Sequence, residues 1–296
     1  MTRPSGMHGL VAPTERRAGI VGTNIGYSLS PVLHSAAYRA LGLSSWSYTR
    51  LECDAAGLPA LVDGLGPEWA GLSVTMPGKR AALTVASQVT ERARLVGAGN
   101  TLVRQADGSW HVDCTDVDGV AGALLYAAGY KPTPGAHAIL LGAGGTGLAA
   151  MVALAEASVD SFALVVRDPA SATDALQCAE RLGVQIEVYR WADTDFSRLA
   201  AAAAVVVSTV PAGVADAHVQ ELAAAACVVD VIYNPWPTPL AAAVQAGGGR
   251  IGTGLDMLLH QAFGQVAQFT GMAAPRAAMR DALFEATGGT LPLPLA

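Results

Sequence analysis

A short apolar strand, 137–141, runs into Gly142-Ala143-Gly144-Gly145-Thr146-Gly147 and then into an alanine-rich stretch ending near residue 157. No other feature restricts the fold as tightly. A strand that ends in Gly-x-Gly-x-x-Gly and re-enters as a helix is the first half of a βαβ unit whose glycines let a pyrophosphate approach the backbone. The N–H groups and positive dipole end of the helix face the same point. Val-rich segments at 162–167, 184–189, 203–208 and 227–231 supply the further strands of a doubly wound nucleotide-binding lobe. A tight βα turn without a ligand is the competing reading.

That lobe stands second in the chain. With 296 residues the chain exceeds the size at which one core keeps growing, so two lobes are expected. Ahead of the glycine loop, 18–22 reads as a strand, 31–41 as a helix, 46–51 as extended and 55–62 as a helix. A further strand ends at Thr75. Segments 101–106 and 109–113 flank Asp107-Gly108, a pair suited to a tight hairpin turn. A new unit begins after the Pro-rich connector 131–135, and the chain past Gly254 reads as helical to its end.

Composition narrows the function. Hydrophobic residues make up 52% and charged residues 14%, which fits an ordered, well-buried protein. A net charge of −6 gives no support to nucleic-acid binding, and no basic run borders an apolar face to favour a membrane surface. Cys53, Cys114, Cys178 and Cys227 are scattered and the histidines lack a His-Glu-x-x-His spacing, so no metal is expected. Residues 1–17 lack the apolar segment of a signal peptide, and the apolar stretch near 199–207 is too short to span a bilayer. A soluble, cytoplasmic protein, monomer or homodimer, is the expectation.

Of 18 basic residues only Lys79 and Lys131 are lysines. Lys131 lies in the connector. Lys79 ends an apolar strand in Ser73-Val-Thr75-Met-Pro77-Gly-Lys79, where a lysine, unlike arginine, can surrender its proton. At the end of the strand after the glycine loop, Arg167 suits the 2′-phosphate of NADP and Asp168 suits the 2′-hydroxyl of NAD. Asp168 also suits a cap for the next helix, with Pro169 at its first position.

Six further motifs follow in order: Gly26-Tyr-Ser28-Leu-Ser30-Pro31-Val-Leu-His34, the Lys79 segment, Gly97-Ala-Gly-Asn100-Thr101, Cys114-Thr115-Asp116-Val-Asp-Gly119, Asp230-Val231-Ile-Tyr233-Asn-Pro235 and Gly254-Leu-Asp-Met257-Leu-Leu-His-Gln261. From about residue 19 to 271 the chain resembles the shikimate dehydrogenase family, oxidoreductases of aromatic amino acid (chorismate) biosynthesis that reduce 3-dehydroshikimate. The resemblance implies an α/β protein. Its substrate-binding lobe would comprise 18–117 and 256–296, with the C-terminal helices returning to it. Residues 118–255 would form the NADP-binding, Rossmann-like lobe, and 1–17 a flexible start. It implies that Lys79 and Asp116 are the catalytic pair. Ser28 and Ser30 would hold the substrate carboxylate and Thr75, Asn100, Asp116 and Gln261 the ring hydroxyls, with Tyr233 nearby. NADP would lie on Gly142 to Gly147, Arg167, Asp168, Thr209, Val210, Val231 and Gly254.

The chain also departs from the family. Ser73 and Cys114 stand where the family has Asn, and Leu148 where it often has Arg. Val166 and Asp168 flank Arg167, and Ser171 replaces a second basic residue. Half of the phosphate clamp is therefore missing, which opens the alternative of an NAD-preferring quinate/shikimate dehydrogenase. A catalytically silent ligand-binding relative would be expected to lose Lys79 or Asp116, and both are present.

Overall fold

Two six-stranded sheets organise residues 15–295, the part of the chain described by the computed structural model. The first contains β1 (Arg16–Gly22), β2 (Trp46–Glu52), β3 (Trp69–Val74), β4 (Gln88–Val89), β5 (Thr101–Arg104) and β6 (Trp110–Asp113). Its order is β2-β1-β3-β5-β6-β4. β1 runs parallel to β2 and β3, whereas β5 is antiparallel to β3 and β6. The expected hairpin is the β5–β6 pair, and Gly108 takes φ +87° in its turn.

The second sheet contains β7 (Ala136–Leu141), β8 (Val159–Val166), β9 (Gln185–Arg190), β10 (Val205–Ser208), β11 (Val228–Asp230) and β12 (Ile251–Thr253). Its order is β12-β11-β10-β7-β8-β9, with every pair parallel. Counted within the lobe this is the doubly wound 3-2-1-4-5-6 order, which reverses between β7 and β10 and opens a crevice there. Both faces are covered, as a parallel sheet requires. Ala138 and Leu140 pack with Leu148 and Val152 on one side, while Ile139 and Leu141 pack with Val206 and Leu240 on the other.

The chain then returns to the first lobe. A capping box, in which Thr253 and Asp256 exchange hydrogen bonds, starts the helix Gly254–Thr270 and satisfies two donors that a helix start leaves free. Leu255, Leu259, Phe263 and Val266 from it join Ile20 and Leu33 in one core, as do Met279 and Leu283 from the helix Arg276–Ala286. Helical structure stops there, because Gly288 and Gly289 adopt φ +68° and +70°, a left-handed turn that ends a helix. The expected helix at 55–62 begins only at Leu58, since Asp54 Oδ1 accepts the Gly57 N–H at 2.8 Å and holds the preceding turn out of the helix. Arg16 and Arg17 open β1; the rest of the expected flexible start, 1–14, lies outside the described residues. Among the described residues no helix is long and apolar enough to cross a membrane.

Candidate active site

The cleft between the lobes is lined by residues from seven separate stretches of sequence. Its volume is about 390 Å³, and Ser28, Ser30, Thr75, Lys79, Asn100, Asp116, Tyr233 and Gln261 all face it. Thr146 from the glycine loop, Val231 and Gly254 line it as well. One set of walls therefore carries the residues that the resemblance assigns to the substrate and three of those it assigns to the cofactor.

Close packing of two helices brings Asp116 and Gln261 together. Asp116 opens the helix Asp116–Gly122, where a carboxylate is favoured by the helix dipole. A Cβ on Gly119 would lie 2.7 Å from the Met257 carbonyl and 3.0 Å from Gln261 Cβ, so only glycine lets the helix Gly254–Thr270 come this near. The turn after β3 holds Lys79, whose carbonyl accepts the Gly99 N–H at 2.9 Å. Asn100 follows Gly99, and its carbonyl takes the Val74 N–H at 2.7 Å.

Lys79 Nζ donates to Asp116 Oδ2 at 2.5 Å, and Asn100 Nδ2 donates to Asp116 Oδ1 at 2.9 Å and to Gln261 Oε1 at 3.1 Å. The Asn100 amide can face only this way, because its Oδ1 accepts the Thr115 backbone N–H at 2.7 Å and that group can only donate. Burial pulls the Lys79 ammonium down, but attraction to Asp116 and the hydrogen bond with it outweigh burial, and the group sits above its ordinary value. Lys79 is thus a charged donor at neutral pH, held in a site where its field is poorly screened. Next to it, burial and then the Asp116 charge push the Cys114 thiol up, so it stays protonated.

Four residues behind this pair had no assigned role in the sequence. Gln265 donates to the Asn100 carbonyl at 3.1 Å and to Thr101 Oγ1 at 3.2 Å, and accepts from Ser73 Oγ at 2.7 Å. Tyr48 in turn donates to Ser73 at 2.7 Å. The Gln265 oxygen also lies 3.3 Å from His34 Nε2, which must carry the hydrogen because that oxygen only accepts. His34 is fully buried and stacks on Tyr48 with ring centroids 4.0 Å apart. Burial drives its pKa down to about 3 despite the Gln265 hydrogen bond, so it is neutral. The available signal was spacing, since Gln265 lies four residues after Gln261 and shares its helix face.

The loop carrying Ser28 is fixed from outside by Arg50, which donates to the carbonyls of Ile25 at 3.1 Å and Ser28 at 2.7 Å. Ser28 Oγ donates to Ser30 Oγ at 3.2 Å and accepts the Ser30 N–H at 3.3 Å. The two hydroxyls sit side by side at the start of the helix Ser30–Ala40, whose first turn has no side-chain cap. A second anchor lies below Asp116. Arg92 binds both oxygens of Asp113, and Thr90, Gln268 and the Cys114 N–H bind it too. Burial raises the Asp113 carboxyl, but Arg92 and these donors overcome it and hold it at about 2.

The glycine loop lies at the order reversal of the second sheet. Gly142 has φ +97°, and a Cβ there would sit 2.8 Å from Thr209 Oγ1. A Cβ on Gly147 would meet the Gly142 carbonyl at 2.3 Å, whereas Gly144 faces open space. No side chain caps the helix Gly145–Glu156, so its first N–H groups remain available to an anion. A pyrophosphate fits this cradle. Thr209 is tied across the crevice to the Leu141 carbonyl at 2.8 Å, and Val210 opens onto a neighbouring hollow. Arg167 and Asp168 are exposed at the end of β8, away from the cleft, and Asp168 Oδ1 accepts the Ala170 N–H at 3.0 Å.

Comparison with known proteins agrees with this architecture. Residues 20–102 match the model of the shikimate dehydrogenase substrate binding domain, and residues 254–284 match that of the shikimate 5′-dehydrogenase C-terminal domain. The shikimate dehydrogenase (NADP(+)) of Roseobacter denitrificans is 37% identical over 251 residues, spanning 82% of this chain and 88% of the relative. The crystal structure of Mycobacterium tuberculosis shikimate dehydrogenase superposes with a TM-score of 0.85 at 52% identity, covering 91% of this chain and 99% of that one. Shikimate 5-dehydrogenase from Thermus thermophilus, in complex with NADP(H) and shikimate, gives a TM-score of 0.77 at 29% identity and covers 92% and 99%.

Proposed function

The chain belongs to the shikimate dehydrogenase family, and from that premise we propose that it catalyses the reversible NADPH-dependent reduction of 3-dehydroshikimate to shikimate. The observation that carries the proposal is the Lys79–Asp116 pair, oriented by Asn100 and facing a cleft that the glycine loop also reaches. The first lobe with the returning helices holds the substrate, and the second lobe holds the nucleotide.

NADPH, when bound, supplies the hydride. The chain's own residues handle the proton. As the ketone carbon becomes tetrahedral its oxygen gains negative charge, and the Lys79 ammonium donates a proton to it. Asp116 keeps the ammonium aimed and charged until that moment, then stabilises its reprotonation from solvent. In the reverse direction neutral Lys79 takes the hydroxyl proton. Asn100 leaves Oδ2 of Asp116 to Lys79 by occupying Oδ1, so the pair has one geometry.

Ser28 and Ser30 offer adjacent hydroxyl donors to the substrate carboxylate, with Tyr233 on the same wall. Thr75, Asn100, Asp116 and Gln261 mix donors and acceptors, as a polyhydroxylated ring requires. Gly142 to Gly147 would receive the pyrophosphate, and Arg167 the 2′-phosphate. Thr209, Val210, Val231 and Gly254 complete the nucleotide side of the crevice.

Asp168 favours a second reading, an NAD-preferring quinate/shikimate dehydrogenase. One Asp168 oxygen is already engaged by Ala170, which supports capping over ribose binding and leaves NADP as the better fit. The test is direct: mixing the protein with NADPH and 3-dehydroshikimate should consume NADPH in step with shikimate formed. Lack of consumption would contradict the assignment.

A further inference from the structure

Next to Lys79, Arg80 is absent from the cleft wall and instead crosses to the other lobe, where its guanidinium pairs with Asp174. Asp174 lies in the first turn of the helix Thr173–Leu182, three residues beyond Ser171. A single 3-10 turn, Pro169–Ala172, joins it to Arg167 and Asp168. Within that turn the Asp168 carbonyl accepts both the Ser171 N–H at 3.0 Å and Ser171 Oγ at 2.6 Å. Residues 168–174 therefore form one compact unit, with the Arg80 guanidinium docked on it. Arg167, exposed at its edge, has no ion-pair partner among the described residues.

A phosphate monoester carries nearly two negative charges at neutral pH, more than one guanidinium neutralises. No second basic residue follows Arg167 on its own strand-turn unit, since Ser171 stands in that place. We propose that Arg80 is the second cationic contact for the 2′-phosphate of NADP, contributed from the substrate lobe and held by Asp174 until the nucleotide binds. The inference rests on the NADP reading above. The fork of a guanidinium matches phosphate as well as carboxylate, so the two compete for one geometry. An ion pair as exposed as Arg80–Asp174, with side chains 71% and 41% accessible, contributes little by itself. Its exchange for a doubly charged phosphate is favourable. Arg80 thereby makes cofactor choice partly a property of the lobe that does not carry the glycine loop.

Calorimetric titration of the full chain with adenosine 2′,5′-bisphosphate and with 5′-AMP tests this without turnover. Arg80→Gln should weaken the bisphosphate by about tenfold, the scale of one charge-assisted contact, and leave 5′-AMP unchanged; Arg80→Lys should restore part of the loss. Asp174→Asn should tighten the bisphosphate, and that gain should vanish in the Arg80→Gln background. Unaltered bisphosphate affinity in Arg80→Gln, or an equal loss for 5′-AMP, overturns the contact. An equal Asp174→Asn gain in both backgrounds would mean that Asp174 simply repels the phosphate, and overturns the exchange. Should the wild type fail to prefer the bisphosphate over 5′-AMP, the NADP reading falls and this contact with it. A preference undiminished in Arg80→Gln rejects the contact alone.

Discussion

Asp116 divides its two oxygens between Lys79, at 2.5 Å, and Asn100, at 2.9 Å. A carboxylate shared in this way cannot rotate without losing one charged and one neutral partner. The geometry of the pair is therefore fixed before any substrate arrives, as the proposed proton transfer requires.

Removing the amine should cost turnover far more than binding. Lys79→Ala is expected to lower kcat by about a thousandfold or more while KM for shikimate stays within a few-fold, because the lost interaction is strongest in the transition state. Lys79→Arg should be nearly as inactive, since a guanidinium does not surrender its proton. Steady-state kinetics with shikimate and NADP⁺ check both; near-normal turnover in either variant would remove Lys79 from the chemistry.

Gln265 supports the pair from behind. Gln265→Leu keeps the volume but strips partners from the Asn100 carbonyl, Ser73 and His34, all buried. Unfolding in urea should show a loss of about 1–3 kcal/mol, and kcat should fall severalfold as Asn100 loosens its hold on Asp116. An unchanged kcat would mean that Thr115 alone fixes Asn100.

Acid should unfold the protein in two windows. His34, with its pKa lowered by burial to about 3 in the fold, is neutral when folded but takes up a proton when unfolded below about pH 6.5. Its contribution to stability is complete above that pH and is lost as pH falls toward 3. Asp113, held at about 2, stabilises the fold above its unfolded value near 3.9 by about 2 kcal/mol, a contribution lost as pH falls through 2. Denaturation midpoints between pH 3 and 7 should therefore decline as pH falls, and His34→Gln should flatten that decline. A wild-type profile already flat across this range would contradict the buried neutral histidine.

Asp168→Thr should raise the ratio of kcat/KM for NADP⁺ to that for NAD⁺, because it removes a negative charge next to Arg167 while a Thr hydroxyl can still cap the 3-10 turn. An unchanged ratio would reject any role for Asp168 in cofactor choice.

Local patterns made much of the architecture legible. Strand β7, the glycine loop and its helix follow from apolar runs broken by glycine, and Asp107-Gly108 marks the β5–β6 turn. The short β12 escaped notice because Gly247 to Gly249 and Arg250 precede it and only Ile251 to Thr253 form it. The site divides in the same way. Lys79 and Asp116 stand in readable motifs, but His34 meets Gln265 across 231 residues, and a contact of that separation exists only once two distant stretches of chain have folded together. Arg80 was hidden for the same reason: its partner Asp174 lies 94 residues away, on the other lobe.

The central claim is tested most directly by initial rates of oxidation for shikimate and quinate, each with NADP⁺ and with NAD⁺. Strong activity only with shikimate and NADP⁺ is the predicted result. Activity mainly with NAD⁺, or with quinate, would contradict it and place the chain with the NAD-preferring quinate/shikimate dehydrogenases.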